Sequence, residues 1–275
     1  MLYASNNPMS MLVIKFGGAA VASTGQFSRI AEIILNRSLN YGRIAVVVSA
    51  MGDTTDQLLA LAKRVHPEPP RREQDMLVSV GERISISLLA MALHLKGREA
   101  ISFTGSQSGI VTTANHTDAK IIDVRPFRLV PHLNAGRIVI VAGFQGVSRE
   151  GEITTLGRGG SDTSAVALGV SLGAAKVEFF KDVPGICNED PKNNPAAAVF
   201  PELSYDRALG IIEKGAEVLH PRAIRLAEKN GVLLHVLSFY DPEMRMHRGT
   251  VIGSKQANRR EGCFYEEDGE ANVIR

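Results

Sequence analysis

Cysteine is scarce in this 275-residue chain, where Cys187 and Cys263 are the only two. Neither stands in a ligand-like pair with His or Cys, which excludes a disulfide scaffold and a structural zinc site. A reducing cytoplasm is the expected compartment. No apolar run approaches the roughly 20 residues that span a bilayer. Residues 1–10 have neither the basic start nor the apolar core of a signal segment. No membrane contact is therefore expected. Charge of one sign is also lacking, since 31 Lys and Arg against 29 Asp and Glu leave +2. Without a basic cluster, nucleic acid is not an expected partner. Two phosphate signatures are missing: Gly-x-x-x-x-Gly-Lys-[Ser/Thr] and Gly-x-Gly-x-x-Gly, so neither a P-loop nor a Rossmann dinucleotide site has support. Internal repeats and low-complexity tracts are absent too.

What is present is an ordinary globular composition, 44% apolar and 22% charged, too apolar for intrinsic disorder. Short β-branched runs alternate with amphipathic stretches. Strands are expected at residues 11–15, 43–49, 99–103, 137–143, 176–180 and 232–237. Their near-continuous apolar character, as in Ile44-Ala45-Val46-Val47-Val48, suits strands covered on both faces. Helices are expected after Ser23 or Thr24 and over 58–65, 73–95, 162–172 and 220–229. Residues 66–72, with three prolines, read as a surface connection, and the charged segment 254–275 as a solvated tail. Strand–helix alternation at this spacing argues for an α/β fold around a largely parallel sheet.

Two glycine turns carry the chemistry. Lys15-Phe16-Gly17-Gly18 follows the first strand, where paired glycines let backbone N–H groups meet phosphate oxygens and Lys15 adds a point charge. It also reads as a plain tight turn. The second turn is Thr154-Thr155-Leu156-Gly157-Arg158-Gly159-Gly160-Ser161-Asp162, which opens an apolar helix. Three glycines, hydroxyls and free N-terminal amides form an anion-binding arrangement, and Arg158 can fork onto a carboxylate or phosphate. Asp162 alone is explained as a helix cap. Thr54 or Thr55 either caps the helix after Met51-Gly52 or faces a ligand. Glu82 sits in an apolar helical stretch, where a buried carboxylate is costly without a partner; it also reads as a solvent-facing turn.

In order, Lys-Phe-Gly-Gly, Ser-Ala-Met-Gly-x-Thr-Thr, Val-Gly-Glu, Thr-Thr-Leu-Gly-Arg-Gly-Gly-Ser-Asp, Lys-Asp-Val-Pro-Gly-Ile and Gly-Ala-Glu-Val-Leu-His-Pro occur along the chain. Together they resemble the catalytic region of the aspartate kinase family, within the amino acid kinase superfamily. The likeness runs from about residue 11 to 253. It implies a three-layer α/β/α sandwich around a mainly parallel sheet. Residues 1–10 would be an extension, about 11–150 an amino acid lobe, about 151–253 a nucleotide lobe, and 254–275 a charged tail. It implies ATP-dependent phosphorylation of the L-aspartate side-chain carboxylate to 4-phospho-L-aspartate. That is the first step toward lysine (through diaminopimelate), threonine and methionine. Lys15 and Asp162 would be catalytic, and Thr55, Glu82 and Arg158 would hold aspartate. ATP would meet Lys15, Phe16, Gly17, Gly18, Gly159, Gly160, Ser161, Lys181, Asp182, Cys187, Lys192 and Glu217. Mg²⁺ would accompany ATP, with no side chain assigned to it. A homodimer, or association with a separate regulatory chain, is implied as well.

The acceptor chemistry agrees with these residue types. An aspartate carboxylate is ionised at neutral pH, so no general base is required. The difficulty is bringing one anion to another, which positive charge and aligned donors relieve.

The chain departs from the family at several positions. Ala19-Ala20 replaces Thr-Ser after the first turn, and Glu217 replaces a lysine. Cys187 stands where tyrosine is common, Lys192 where arginine is, and Lys181 where threonine is. Glu217 is expected to pair with Lys181 or Lys192. The family's ACT regulatory domains are not expected within these 275 residues. A superfamily enzyme with another small acceptor and a non-catalytic ligand-binding homologue are the alternatives.

Overall fold

The computed structural model describes residues 10–189, 194, 197–244, 248–253 and 262–266. Among the described residues the strands are β1 (Met11–Phe16), β2 (Arg43–Val48), β3 (Ala100–Phe103), β4 (Ile110–Thr112), β5 (Ile121–Val124), β6 (Ile138–Ala142), β7 (Gln145–Ser148), β8 (Ile153–Thr155), β9 (Lys176–Lys181), β10 (Glu202–Leu203), β11 (Leu234–Ser238) and β12 (Thr250–Ile252). The helices are α1 (Gln26–Ser38), α2 (Thr54–Val65), α3 (Arg71–Val78), α4 (Val80–Leu95), α5 (Val130–Asn134), α6 (Gly160–Ser171), α7 (Tyr205–Ile212) and α8 (Pro221–Asn230).

All six expected apolar runs become strands of one eight-stranded sheet, ordered β10-β12-β11-β9-β1-β2-β6-β3. From β11 to β3 every pairing is parallel, and β12 runs antiparallel to β11. Alternate residues of each central strand enter opposite cores, as the two-residue side-chain period requires. Leu12, Ile14 and Phe16 join α1 and α4 on one face. Met11 and Val13 join α6 and α8 on the other. Three layers result. Residues Gly160 through Gly169 of α6 are all buried, which explains why that helix carries no polar face.

Several expectations change. The single helix over 73–95 is two helices meeting at Ser79, whose carbonyl accepts from Gln145 Nε2 at 2.8 Å. Arg71 and Arg72, read as connection, are helical, because Pro70 ends the extended segment and precedes the first turn. A second sheet, β5-β4-β7-β8, was not foreseen; strands of three or four residues show too little alternation to read. Together α3 and α4 make a 25-residue run, Arg71–Leu95, long and apolar enough by length and composition to cross a membrane. Its Glu82, Ser85, Ile86, Leu89 and Leu93 face is buried in the protein. Met76, Val80, Ile84, Met91 and Leu95 are exposed on the same run.

The segment read as a solvated tail is docked where it is described. Tyr265 is buried, Asn230 Nδ2 donates to the Phe264 carbonyl at 2.8 Å, and Lys229 Nζ to that of Tyr265. Glu266 accepts from the Ile121 amide at 2.8 Å and from Arg222 Nε at 2.6 Å. Its charge made it look solvated, yet that charge is what Arg222 binds.

One buried ion cluster braces the sheet. Glu178 on β9 lies between Arg37 of α1 (2.7 Å) and Lys176 (2.6 Å). Burial raises its pKa, but the two cations outweigh burial and hold it at about 2. The folded carboxylate is thus favoured above the unfolded pKa near 4.3, and that stabilisation is lost as pH falls toward 2. Removing one partner of a buried pair leaves uncompensated charge. Glu178→Ala should therefore destabilise the fold by roughly 3–5 kcal/mol. Urea denaturation from pH 3 to 7 should show the parent, and not the variant, losing this contribution on acidification.

Candidate functional site

The site begins where the sheet changes direction. From β1 the chain crosses to β2 on one side, and β9 later pairs with β1 on the other. Ligands of open α/β sheets lie at the carboxyl ends of such strands. Lys15 is the penultimate residue of β1 and Lys181 ends β9, so two ammonium groups reach this crevice. Asp162, in the first turn of α6, takes Lys15 Nζ on Oδ1 at 2.6 Å and Lys181 Nζ on Oδ2 at 3.1 Å. Lys15 and Asp162 are nearly buried, Lys181 slightly less. Burial lowers the Lys15 pKa, opposed by Asp162. For Asp162 burial acts upward, but both lysines outweigh it and hold the carboxylate far below its usual range. Two lysine side chains thus share one carboxylate at this edge.

Glycine loops cover that charge. A Cβ at Gly17 would lie 3.5 Å from Lys15 Nζ, so the first turn runs directly over the ammonium. Gly52 N donates to the Gly18 carbonyl at 3.2 Å, joining this turn to the loop after β2. Phe16 itself stacks on Phe180 in the core, with ring centroids 5.1 Å apart. Its side chain is therefore closed to a nucleotide. Gly159 adopts φ +71°, and a Cβ there would fall 2.1 Å from His220. Beyond it, Gly160 and Ser161 open α6, whose N-terminal amides and dipole favour an anion.

A second, different pocket wall lies on α4. Glu82 is 2% exposed; Oε1 accepts from the Ala50 amide at 3.1 Å, while Oε2 is buried with no hydrogen-bond partner. Burial raises its pKa to about 7, against the opposing backbone N–H groups. The solvent-facing reading of Glu82 is excluded. On α2, Thr54 Oγ1 donates to the Met51 carbonyl at 2.6 Å, leaving half-buried Thr55 as the hydroxyl free of the turn. Arg158 is exposed and has no ion pair among the described residues.

The remaining residues sort as follows. Asp182 is exposed, and Cys187, half-buried, bridges to Val199 beyond β9. Lys192 lies outside the described residues. Glu217 is exposed, with no ion pair among the described residues. The expected Glu217–Lys181 pairing is not made, because Asp162 holds Lys181 closer to the sheet. Ala20 is buried in the core beside α1, so the hydroxyl lost there faced the interior.

Sequence reasoning overlooked the braces around these groups. His220 caps α8 and packs against Gly159. Arg222 donates to the carbonyls of Leu156 and Ala119 while gripping Glu266. Asp75 and His116 were not noticed at all. The one available signal was the His-Pro start of α8.

A carboxylate-bridged lysine pair under glycine turns, at the switch point of a three-layer α/β fold, is an arrangement chemically suited to an anion. The chain belongs to the amino acid kinase family, whose model matches residues 10–238. It is 46% identical over 244 residues to an aspartokinase of Bacillus sp. (strain MGA3), covering 89% of this chain and 58% of that protein. The crystal structure of aspartate kinase from Synechocystis superposes with a TM-score of 0.80 at 41% identity, covering 91% of this chain and 41% of that one. E. coli aspartokinase III in complex with aspartate and ADP gives a TM-score of 0.78 at 28% identity, covering 90% of this chain and 66% of that one. The chain thus spans under two thirds of each of these relatives.

The Gly159 contact is testable on stability alone. Gly136 has φ +74° with nothing within 4 Å of an added Cβ. Gly136→Ala should cost about 1–2 kcal/mol for the left-handed backbone. Gly159→Ala should cost clearly more, since the His220 ring must also move. Equal shifts in thermal midpoint would contradict this packing.

Proposed function

We propose that this chain catalyses ATP-dependent phosphorylation of the L-aspartate side-chain carboxylate. The observation that carries the reading is Glu82 Oε2, a buried carboxylate oxygen without a partner. Such an atom calls for a cation, and the α-ammonium of a free amino acid supplies one. Exposed Arg158 suits a carboxylate, and Thr55 offers a hydroxyl between the acceptor and the phosphate crevice. An N-blocked acceptor has no charge for Glu82 to meet, which disfavours that alternative.

On this reading the nucleotide phosphates lie under Gly17, Gly18 and the start of α6, with the base toward 182–187. One acceptor oxygen attacks the γ-phosphorus, the bond to the β–γ bridging oxygen breaks, and ADP leaves with the electron pair. No proton moves from the acceptor. Lys15 and Lys181 offset the charge that spreads over the transferring group. Asp162 keeps both lysines charged and aimed.

Among the described residues no group of three or more His, Cys, Asp or Glu could hold a metal, and both Asp162 oxygens are engaged by lysines. No side chain is assigned to Mg²⁺ on this reading. The cation belongs to the substrate, Mg-ATP.

Neither Cys187 nor Cys263 forms a disulfide, in keeping with a cytoplasmic setting. The exposed apolar residues of Arg71–Leu95 support self-association of this chain. Ala19 and Glu217 keep a non-catalytic homologue as the second reading, and turnover decides it.

With Mg-ATP and L-aspartate, hydroxylamine should trap an acyl phosphate as the hydroxamate. Turnover of another acceptor, or ATP binding without any turnover, would overturn the assignment. Glu82 must be ionised to meet an ammonium. Acceptor kcat/KM should thus fall about tenfold per pH unit below the Glu82 pKa of about 7. Glu82→Gln should remove that limb and raise the aspartate KM at least about tenfold. Lys15→Ala should chiefly lower kcat.

A further inference from the structure

We propose that Asp75 is a positioning residue, which sets the loop carrying Arg158 against the helix carrying Glu82. Asp75 is fully buried on α3, immediately before α4. A buried carboxylate is expensive unless fully hydrogen-bonded, and this one has donors from two separate segments. Oδ1 accepts the Thr155 hydroxyl at 2.5 Å, and Oδ2 meets His116 Nδ1 at 2.7 Å. The Thr117 amide donates to both oxygens at 3.1 Å.

Those donors lead to Arg158. Thr155 is the last residue of β8, three before Arg158. Residues 116–118 form the floor of the next turn: a Cβ at Gly157 would lie 3.1 Å from both the Thr117 carbonyl and Asp118 Oδ1. Thr117 is held at φ +69°, a conformation unfavourable for a threonine. The contact with Asp75 fixes its amide in that conformation. Arg222 secures the other side through the Leu156 carbonyl. Asp75 touches neither Glu82 nor Arg158, yet it ties α3, which leads through Ser79 into the helix that bears Glu82, to β8, which leads into the loop that bears Arg158.

An apolar residue can often replace a buried charge without loss of stability. What a carboxylate with fixed donors adds here is one defined spacing between an ammonium anchor and a carboxylate anchor. The inference rests on the acceptor reading of Glu82 and Arg158.

Thr155→Val deletes a single hydroxyl at nearly constant volume, and Thr155→Ser keeps it. Both, with Asp75→Asn, should be compared with the parent in the full chain. Thr155→Val should raise the aspartate KM about tenfold, with kcat and the ATP KM within about threefold. Thr155→Ser should fall much nearer the parent. Hydrogen exchange of residues 156–160 should quicken in Thr155→Val and Asp75→Asn, while the central strands keep parental protection. Unchanged exchange in that loop, or equal changes in the aspartate and ATP KM, would overturn the proposal. If the parent turns over no aspartate, the acceptor reading fails, and loop exchange still decides the role of Asp75.

Discussion

Two like charges on adjacent strands are held together by one carboxylate. Lys15 and Lys181 lie at the carboxyl ends of neighbouring parallel strands, and Asp162 is 2.6 Å and 3.1 Å from their ammonium nitrogens. Without it, two ammonium groups in a crevice of low dielectric would repel each other and favour losing a proton. Asp162 can bridge them only because α6 is buried from Gly160 to Gly169 and cannot shift. The burial of that helix, the order of the sheet and the charge at its edge are therefore one arrangement. On the proposed reading, an incoming phosphate would meet a positive edge already aligned, the preorganisation that anion transfer needs.

The other half of the site obeys a different constraint. Glu82 is a buried carboxylate left half-satisfied, and Asp75 is one that is fully satisfied. On the proposed reading, the contrast separates a binding group from a bracing group: an orphaned lone pair is open to a ligand, whereas a saturated carboxylate fixes its neighbours. Arg222 extends the brace to residues 264–266, so the described end of the chain contacts the same loop that carries Arg158. Movement of Glu266 would be felt at the Leu156 carbonyl through a single side chain.

Substitutions relative to the family look less disruptive in three dimensions than in the string. Lys181 finds Asp162 rather than Glu217, adding a second cation to the phosphate edge. Glu217 turns to solvent, where a carboxylate has little cost. Ala20 occupies the core, a place where a methyl group is well suited.

Much of the architecture was legible before any coordinates. Uninterrupted Val and Ile runs at 44–48 and 138–141 marked central parallel strands, since only strands covered on both faces tolerate such sequences. Gly17, Gly18, Gly159 and Gly160 marked the backbone approaches, and Lys15, Glu82, Arg158 and Asp162 were legible from their odd placement beside them. The four-stranded sheet, the break at Ser79 and the docking of Tyr265 were not. Short strands lack a period, and a charged segment reads as solvated until its counter-ion is known. Hydrogen bonds from Thr155 to Asp75, and from Arg222 to Leu156, join residues 80 and 66 positions apart. Local sequence determines which segments become strand, helix or anion-binding turn, because those depend on neighbours along the chain. Which buried carboxylate is saturated, which one keeps an unpartnered oxygen, and which lysines Asp162 holds were decided only by tertiary structure. Each depends on the distance to a group that the sequence places far away.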